Sequence, residues 1–195
     1  NFTGSSATAV GSGAADVAVS NASLTAVGKG AYGAATSGDH NTAIGALSLL
    51  TVDGDRNTTC GYAALNADAG DDNTAIGNDA LLSFTGSNAT AIGSQAADVA
   101  VSQAGLTAIG INALGAATAG DYNTAVGAYT LDGTIDGAYN TAIGAYSLSV
   151  DCVSDNVAMG YTALNVFTGS NATAIGSGAA NAATSATNLT AVGKD

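Results

Sequence analysis

Few residues of this chain are of a type and spacing that could do chemistry. Asp53, Asp55, Asp71 and Asp72 lie close together beside glycines, and hard cations want several oxygens of this kind. Their spacing matches neither the EF-hand loop nor the nonapeptide calcium roll. Structural calcium is therefore the one cofactor they could hold, and none is expected. His40 is the sole histidine. It stands in Gly38-Asp39-His40-Asn41, whose counterpart further on is Gly120-Asp121-Tyr122-Asn123, so it reads as a surface turn residue and not as a base or metal ligand. No nucleophile, base and orienting group recur together, so neither catalytic nor metal-binding residues are expected.

What must position these residues is a short repeat. N-T-A-I-G and its variants return twelve times, with the glycine at Gly11, Gly28, Gly45, Gly61, Gly77, Gly93, Gly110, Gly127, Gly144, Gly160, Gly176 and Gly193, always 16 or 17 residues apart. A fixed period means one unit stacked along an axis. This one is too short for helix pairs and suits one lap of an all-β parallel β-solenoid, or β-roll, with two short strands per coil. The chain reads as a single repeat domain over 1–195.

Aligned on the glycine, the laps form columns. Threonine stands three before it in every lap except the one with Val157. Next comes Ala9, Ala26, Ala43, Ala75, Ala91, Ala108, Ala125, Ala142, Ala158, Ala174 and Ala191, broken only by Thr59. Directly before the glycine stand Val10, Val27, Ile44, Cys60, Ile76, Ile92, Ile109, Val126, Ile143, Met159, Ile175 and Val192, medium-sized and mostly β-branched, as strands favour. Alternation puts threonine and isoleucine on one face and alanine on the other. The isoleucine column is expected to be the structural core ladder. The flat alanine ladder would then face outward, where a second sheet could approach closely, and it is expected to carry self-association, most simply as a three-fold bundle.

Four residues after the glycine lies a second apolar column of Leu49, Leu65, Leu81, Leu114, Leu131, Leu148 and Leu164, with Tyr32 or alanine (Ala15, Ala97, Ala180) elsewhere. It is expected to be the second strand, facing the isoleucines across a thin core. The Gly-Asp-x-Asn segments before the first strand are corner chemistry, because these residues tolerate left-handed angles and bond their own main chain. The residue four before the glycine runs Ala, Leu, Asn, Asn, Asn and repeats, giving a five-coil super-repeat of 82 to 83 residues, and Phe2, Phe84 and Phe167 mark the same phase in each copy. The chain begins and ends in mid-pattern, which suggests a segment of a longer repetitive protein or a subunit that stacks end to end.

The net charge of −12, carried by 15 acidic residues against 3 basic ones, disfavours nucleic acid and anionic membranes. No apolar run approaches the roughly 18 residues of a span, and no signal peptide is visible. Proline is absent, as expected where nearly every amide joins a ladder. Cys60 falls in the isoleucine column and is read as a small core hydrophobe. Cys152 falls in a turn, free or available to another chain. They stand nearly six laps apart, about 26 Å at roughly 4.8 Å per strand, beyond disulfide reach. N-x-S/T sequons at Asn1, Asn21, Asn57, Asn88, Asn171 and Asn188 arise from the repeat itself and would be used only in a host that glycosylates.

Asn41-Thr42-Ala43-Ile44-Gly45, Asn73-Thr74-Ala75-Ile76-Gly77 and Asn140-Thr141-Ala142-Ile143-Gly144 resemble the head repeats of YadA-like trimeric autotransporter adhesins, and also shaft repeats of some phage tail fibres. The resemblance covers all twelve laps. It implies left-handed parallel β-rolls in trimers that bind matrix or host surfaces from coiled-coil stalks. This chain has longer laps, threonine for most of the strand valines, and no neck or heptad stalk.

Together these readings point to a non-enzymatic extracellular or cell-surface structural and adhesive fibre that assembles with itself. A phage tail-fibre shaft, on a virion, is the alternative. The threonine column also invites an ice-binding reading, because a regular hydroxyl ladder can order water, but only if the face that threonine shares with isoleucine is exposed. A polysaccharide-cleaving solenoid would need a groove of carboxylates and basic residues, and basic residues are almost lacking.

Overall fold

The computed structural model describes residues 6–18, 21–116, 119–134 and 136–195. Phe2 with its neighbours and the Asn1 sequon lie outside the described residues. Twelve three-residue strands follow the glycine register: β1 (Thr8–Val10), β2 (Thr25–Val27), β3 (Thr42–Ile44), β4 (Thr58–Cys60), β5 (Thr74–Ile76), β6 (Thr90–Ile92), β7 (Thr107–Ile109), β8 (Thr124–Val126), β9 (Thr141–Ile143), β10 (Val157–Met159), β11 (Thr173–Ile175) and β12 (Thr190–Val192). They form one parallel sheet in chain order. Like pairs with like along it, as in Thr74↔Thr90, Ala75↔Ala91 and Ile76↔Ile92. The chain is an all-β solenoid.

Each lap supplies one strand where two were expected. The leucine column is not extended: Leu49, Leu65 and Leu81 have φ of 52°, 49° and 54°, and residues two after the glycine, such as Leu47 and Asp79, are also left-handed at 57° and 56°. Alternating left-handed residues curl the return wall into a chain of turns. These turns still bond rung to rung, Leu49 N–H to Ala64 O at 3.0 Å and Leu65 N–H to Ala80 O at 2.9 Å. Left-handed angles cost a non-glycine residue on the order of 1 to 2 kcal/mol, and burial of the leucine on this wall is what offsets that cost.

The two strand faces are reversed from the sequence expectation. Ala26, Ala43, Ala75, Ala91, Ala108, Ala125, Ala142, Ala158 and Ala174 are wholly buried; only Ala191 and Ala9, in the terminal rungs, are part-buried and exposed. The proposed core ladder points outward instead. Val10, Ile44, Cys60, Ile76, Ile92, Ile109, Ile143, Met159, Ile175 and Val192 are exposed, and Val27 and Val126 are half-exposed. The reason is volume. A lap of this length encloses a slot between sheet and turn wall that the leucine column, with Tyr32 in one lap, largely fills, and only a small side chain, alanine or in one lap threonine, fits opposite.

Two further columns complete the interior. Seven or eight residues after the glycine stand Ala35, Val52, Ala69, Phe84, Ala100, Thr134, Cys152 and Phe167, all buried. Cβ atoms at Gly86 and Gly169 would strike the Phe84 and Phe167 rings, so those glycines make room for the super-repeat's phenylalanines. Four before the glycine, in phase with alanine, lie Leu24, Leu106, Ala89, Ala172 and the asparagines, also buried. Asn41, Asn57, Asn73, Asn123, Asn140 and Asn156 are thus interior ladder residues and not surface corners. Asn41 Oδ1 accepts the Asn57 N–H (2.8 Å), and Asn57 Oδ1 that of Asn73 (2.9 Å). Each amide nitrogen donates to a glycine or valine carbonyl of the corner, as Asn57 Nδ2 does to Gly70 O at 2.9 Å.

Thr59, the one departure from the alanine column, is buried. Its hydroxyl meets Ser48 Oγ at 2.6 Å and donates to Thr42 O at 3.1 Å. A methyl-sized slot accepts threonine there because both hydrogen-bonding demands are met.

Candidate functional site

The outward surface of the sheet is the most regular feature of the molecule. Because every rung pairs in register, threonines stack over threonines at about 4.8 Å, and the isoleucine column runs parallel to them about 6.6 Å away along the strand. No outward strand position carries a charge. The middle rungs are exposed evenly, with Ile76, Ile92 and Ile109 at 39%, 36% and 37%. Threonine, valine and isoleucine are stiff at χ1, so the array is held in place before anything meets it.

Two tyrosine ladders border this face over β8 to β10. Tyr122 and Tyr139, at the corner before the strands, stack with centroids 5.4 Å apart, and Tyr129 and Tyr146, just after them, at 5.2 Å. Tyr161 meets Tyr146 edge-on at 6.4 Å. The stacks occupy their own ring faces. Sequence reasoning missed them, although Tyr122 and Tyr139 share one column and Tyr129 and Tyr146 another.

Asp53, Asp55 and Asp71 serve the backbone. Asp55 Oδ1 accepts the Asp39 N–H at 2.8 Å, and Asp71 Oδ1 accepts that of Asp55 at 2.9 Å. Asp53 Oδ1 takes the amides of Thr36 (2.7 Å) and Ser37 (2.9 Å). Partial burial raises the Asp53 pKa, but these hydrogen bonds outweigh it and hold the carboxyl below the usual range. Asp72 is paired with the Arg56 guanidinium through Nε at 2.7 Å and Nη2 at 2.9 Å, which also lowers its pKa. Asp55, Asp71 and Asp72 converge on Arg56 at 3.6, 3.2 and 2.7 Å, so a guanidinium already sits among three of the four carboxylates weighed for calcium, and among the described residues no group of three or more His, Cys, Asp or Glu side chains is placed to hold a metal.

His40 is exposed on a corner with φ of 61°. The cysteines exchange the roles expected of them. Cys60 is on the outer face, whereas Cys152 is buried, its thiol 3.4 Å from Thr134 Oγ1. Burial pushes that thiol's pKa up, making it less reactive. The alanine ladder is no longer a surface on which sister chains could meet. No protein-family model, curated protein or solved structure matches this chain.

Proposed function

We propose that this chain is a non-enzymatic extracellular fibre segment, a stiff rod whose job is to extend and present. The observation that carries the reading is the uninterrupted stack of twelve in-register strands over one continuous core. Each rung touches only its neighbours, so length grows linearly with repeat number, and eleven spacings of about 4.8 Å make a rod of about 53 Å. Among the described residues Arg56 pairs with Asp55, Asp71 and Asp72, and Asp53, Asp55 and Asp71 accept backbone amides, uses that support a structural role over a catalytic one. The acidic surface keeps such a rod soluble. The repeat resemblance to adhesin heads and tail-fibre shafts points the same way.

Immunogold electron microscopy of the native source, with antibody raised against the purified rod, tests this. Labelled fibres projecting from a cell or virion surface are expected, and the carrier separates adhesin from tail fibre. Label confined to the cell interior would refute the reading.

A further inference from the structure

We infer that the outward threonine and isoleucine face binds ice. Ice recognition needs no charge, groove or cofactor; it needs a rigid surface that repeats in two directions and holds water at fixed points. Along the axis the in-register pairing repeats each side chain once per strand spacing, and across the strand the two outward columns are set by the backbone pleat. Threonine hydroxyls supply anchoring points at every rung but that of Val157, and the methyl and aliphatic groups beside them order the water between.

Three observations favour ice over a protein partner. The outward strand positions themselves carry no charge; Arg56, Asp72 and Asp79 stand beside them, in the flanking columns that hold tyrosines elsewhere. The columns vary little from rung to rung, which suits a periodic solid and gives a protein partner few distinguishing features. The β-branched side chains are preset, so an extended lattice contact freezes out little motion. Behind them lie the buried alanine ladder and the leucine wall, a close-packed backing along the length of the sheet. Ice binding owes nothing to the fibre role, and it requires the face to be open.

The test is thermal hysteresis and ice-crystal shaping by the purified whole chain, with its solution mass measured in the same buffer. A gap between melting and freezing points, and faceted crystals, are expected. The double variant Thr90→Tyr/Thr107→Tyr, which alters only outward positions mid-array, should lose most of that gap while its thermal unfolding is unchanged. Ser83→Tyr, exposed on the turn side, should keep it. An open-faced monomer without hysteresis overturns the inference, as does hysteresis indifferent to the double variant. So does a stable oligomer without hysteresis, which would make a second copy the occupant. None of these results bears on where the rod is displayed, so the two proposals fail separately.

Discussion

The buried asparagine ladder sets the sharpest energetic expectation, and Asn73→Ala is the perturbation that isolates it. In the native rod Asn73 Oδ1 accepts the Ala89 N–H at 2.9 Å, while its Nδ2 donates to Gly70 O and Gly86 O, both at 3.1 Å. The substitution does not strand all three partners. Gly70 O still receives Asn57 Nδ2 at 2.9 Å, and Gly86 O still receives the Gly70 N–H at 3.0 Å. Only the Ala89 amide is left without the acceptor it had. An orphaned buried amide costs about 1 to 3 kcal/mol, and two secondary bonds lost from satisfied carbonyls add about 1 more, so a destabilisation of about 2 to 4 kcal/mol is expected. At this chain length each kcal/mol corresponds to roughly 2 to 4 °C in Tm. Because a solenoid can open rung by rung, amide hydrogen exchange is the better assay. The Ala89 N–H should lose its protection first, followed by the β5 and β6 rungs, with distant rungs unchanged. A loss under about 0.5 kcal/mol, the size of an ordinary surface change, with Ala89 still protected, would refute the ladder as a source of stability.

Other consequences follow from the same packing. Ala108→Leu should cost about 1 to 3 kcal/mol by overpacking, whereas Ile109→Thr, one residue on but outward, should stay within about 0.5 kcal/mol; urea unfolding of the two variants decides which face is the core. Under native conditions a maleimide should modify Cys60 readily and Cys152 only at the rate of unfolding, read by mass spectrometry of the digested chain. Asp53 has a depressed folded pKa, so its contribution is present above the unfolded value of about 3.9 and is lost as pH falls through the lower folded value. Asp98 and Asp132, raised by burial, act in the opposite sense and favour the fold on the acid side of their unfolded pKa. Asp53→Asn should therefore flatten the acid limb of the unfolding curve, and its Thr36 and Ser37 amides should exchange faster at neutral pH.

Period, strand register and glycine positions were all legible in the residues, because each answers a local demand repeated twelve times. Gly77, for example, has φ of +136°, and a Cβ there would run into the Gly93 carbonyl, so the column admits nothing else. The facing of the strand was misread for a physical reason. Hydrophobicity ranks isoleucine above alanine, but the interior of a tight lap is limited by volume before it is limited by transfer free energy. The sequence did hold a clue to the true parity. Leu24 and Leu106 share a column with Asn41 and Asn73, two residues before the alanine and thus on its side of the strand, and leucine in that column places alanine inside with it. Had asparagine been taken as an interior group that bonds corner carbonyls, threonine and isoleucine would have faced out together. The threonine array, whose hydroxyls had no other evident task, would then have been visible from the letters alone. Its exposure was the condition on which ice recognition depended, so the inversion that buries the expected assembly surface also opens the face that carries the new proposal.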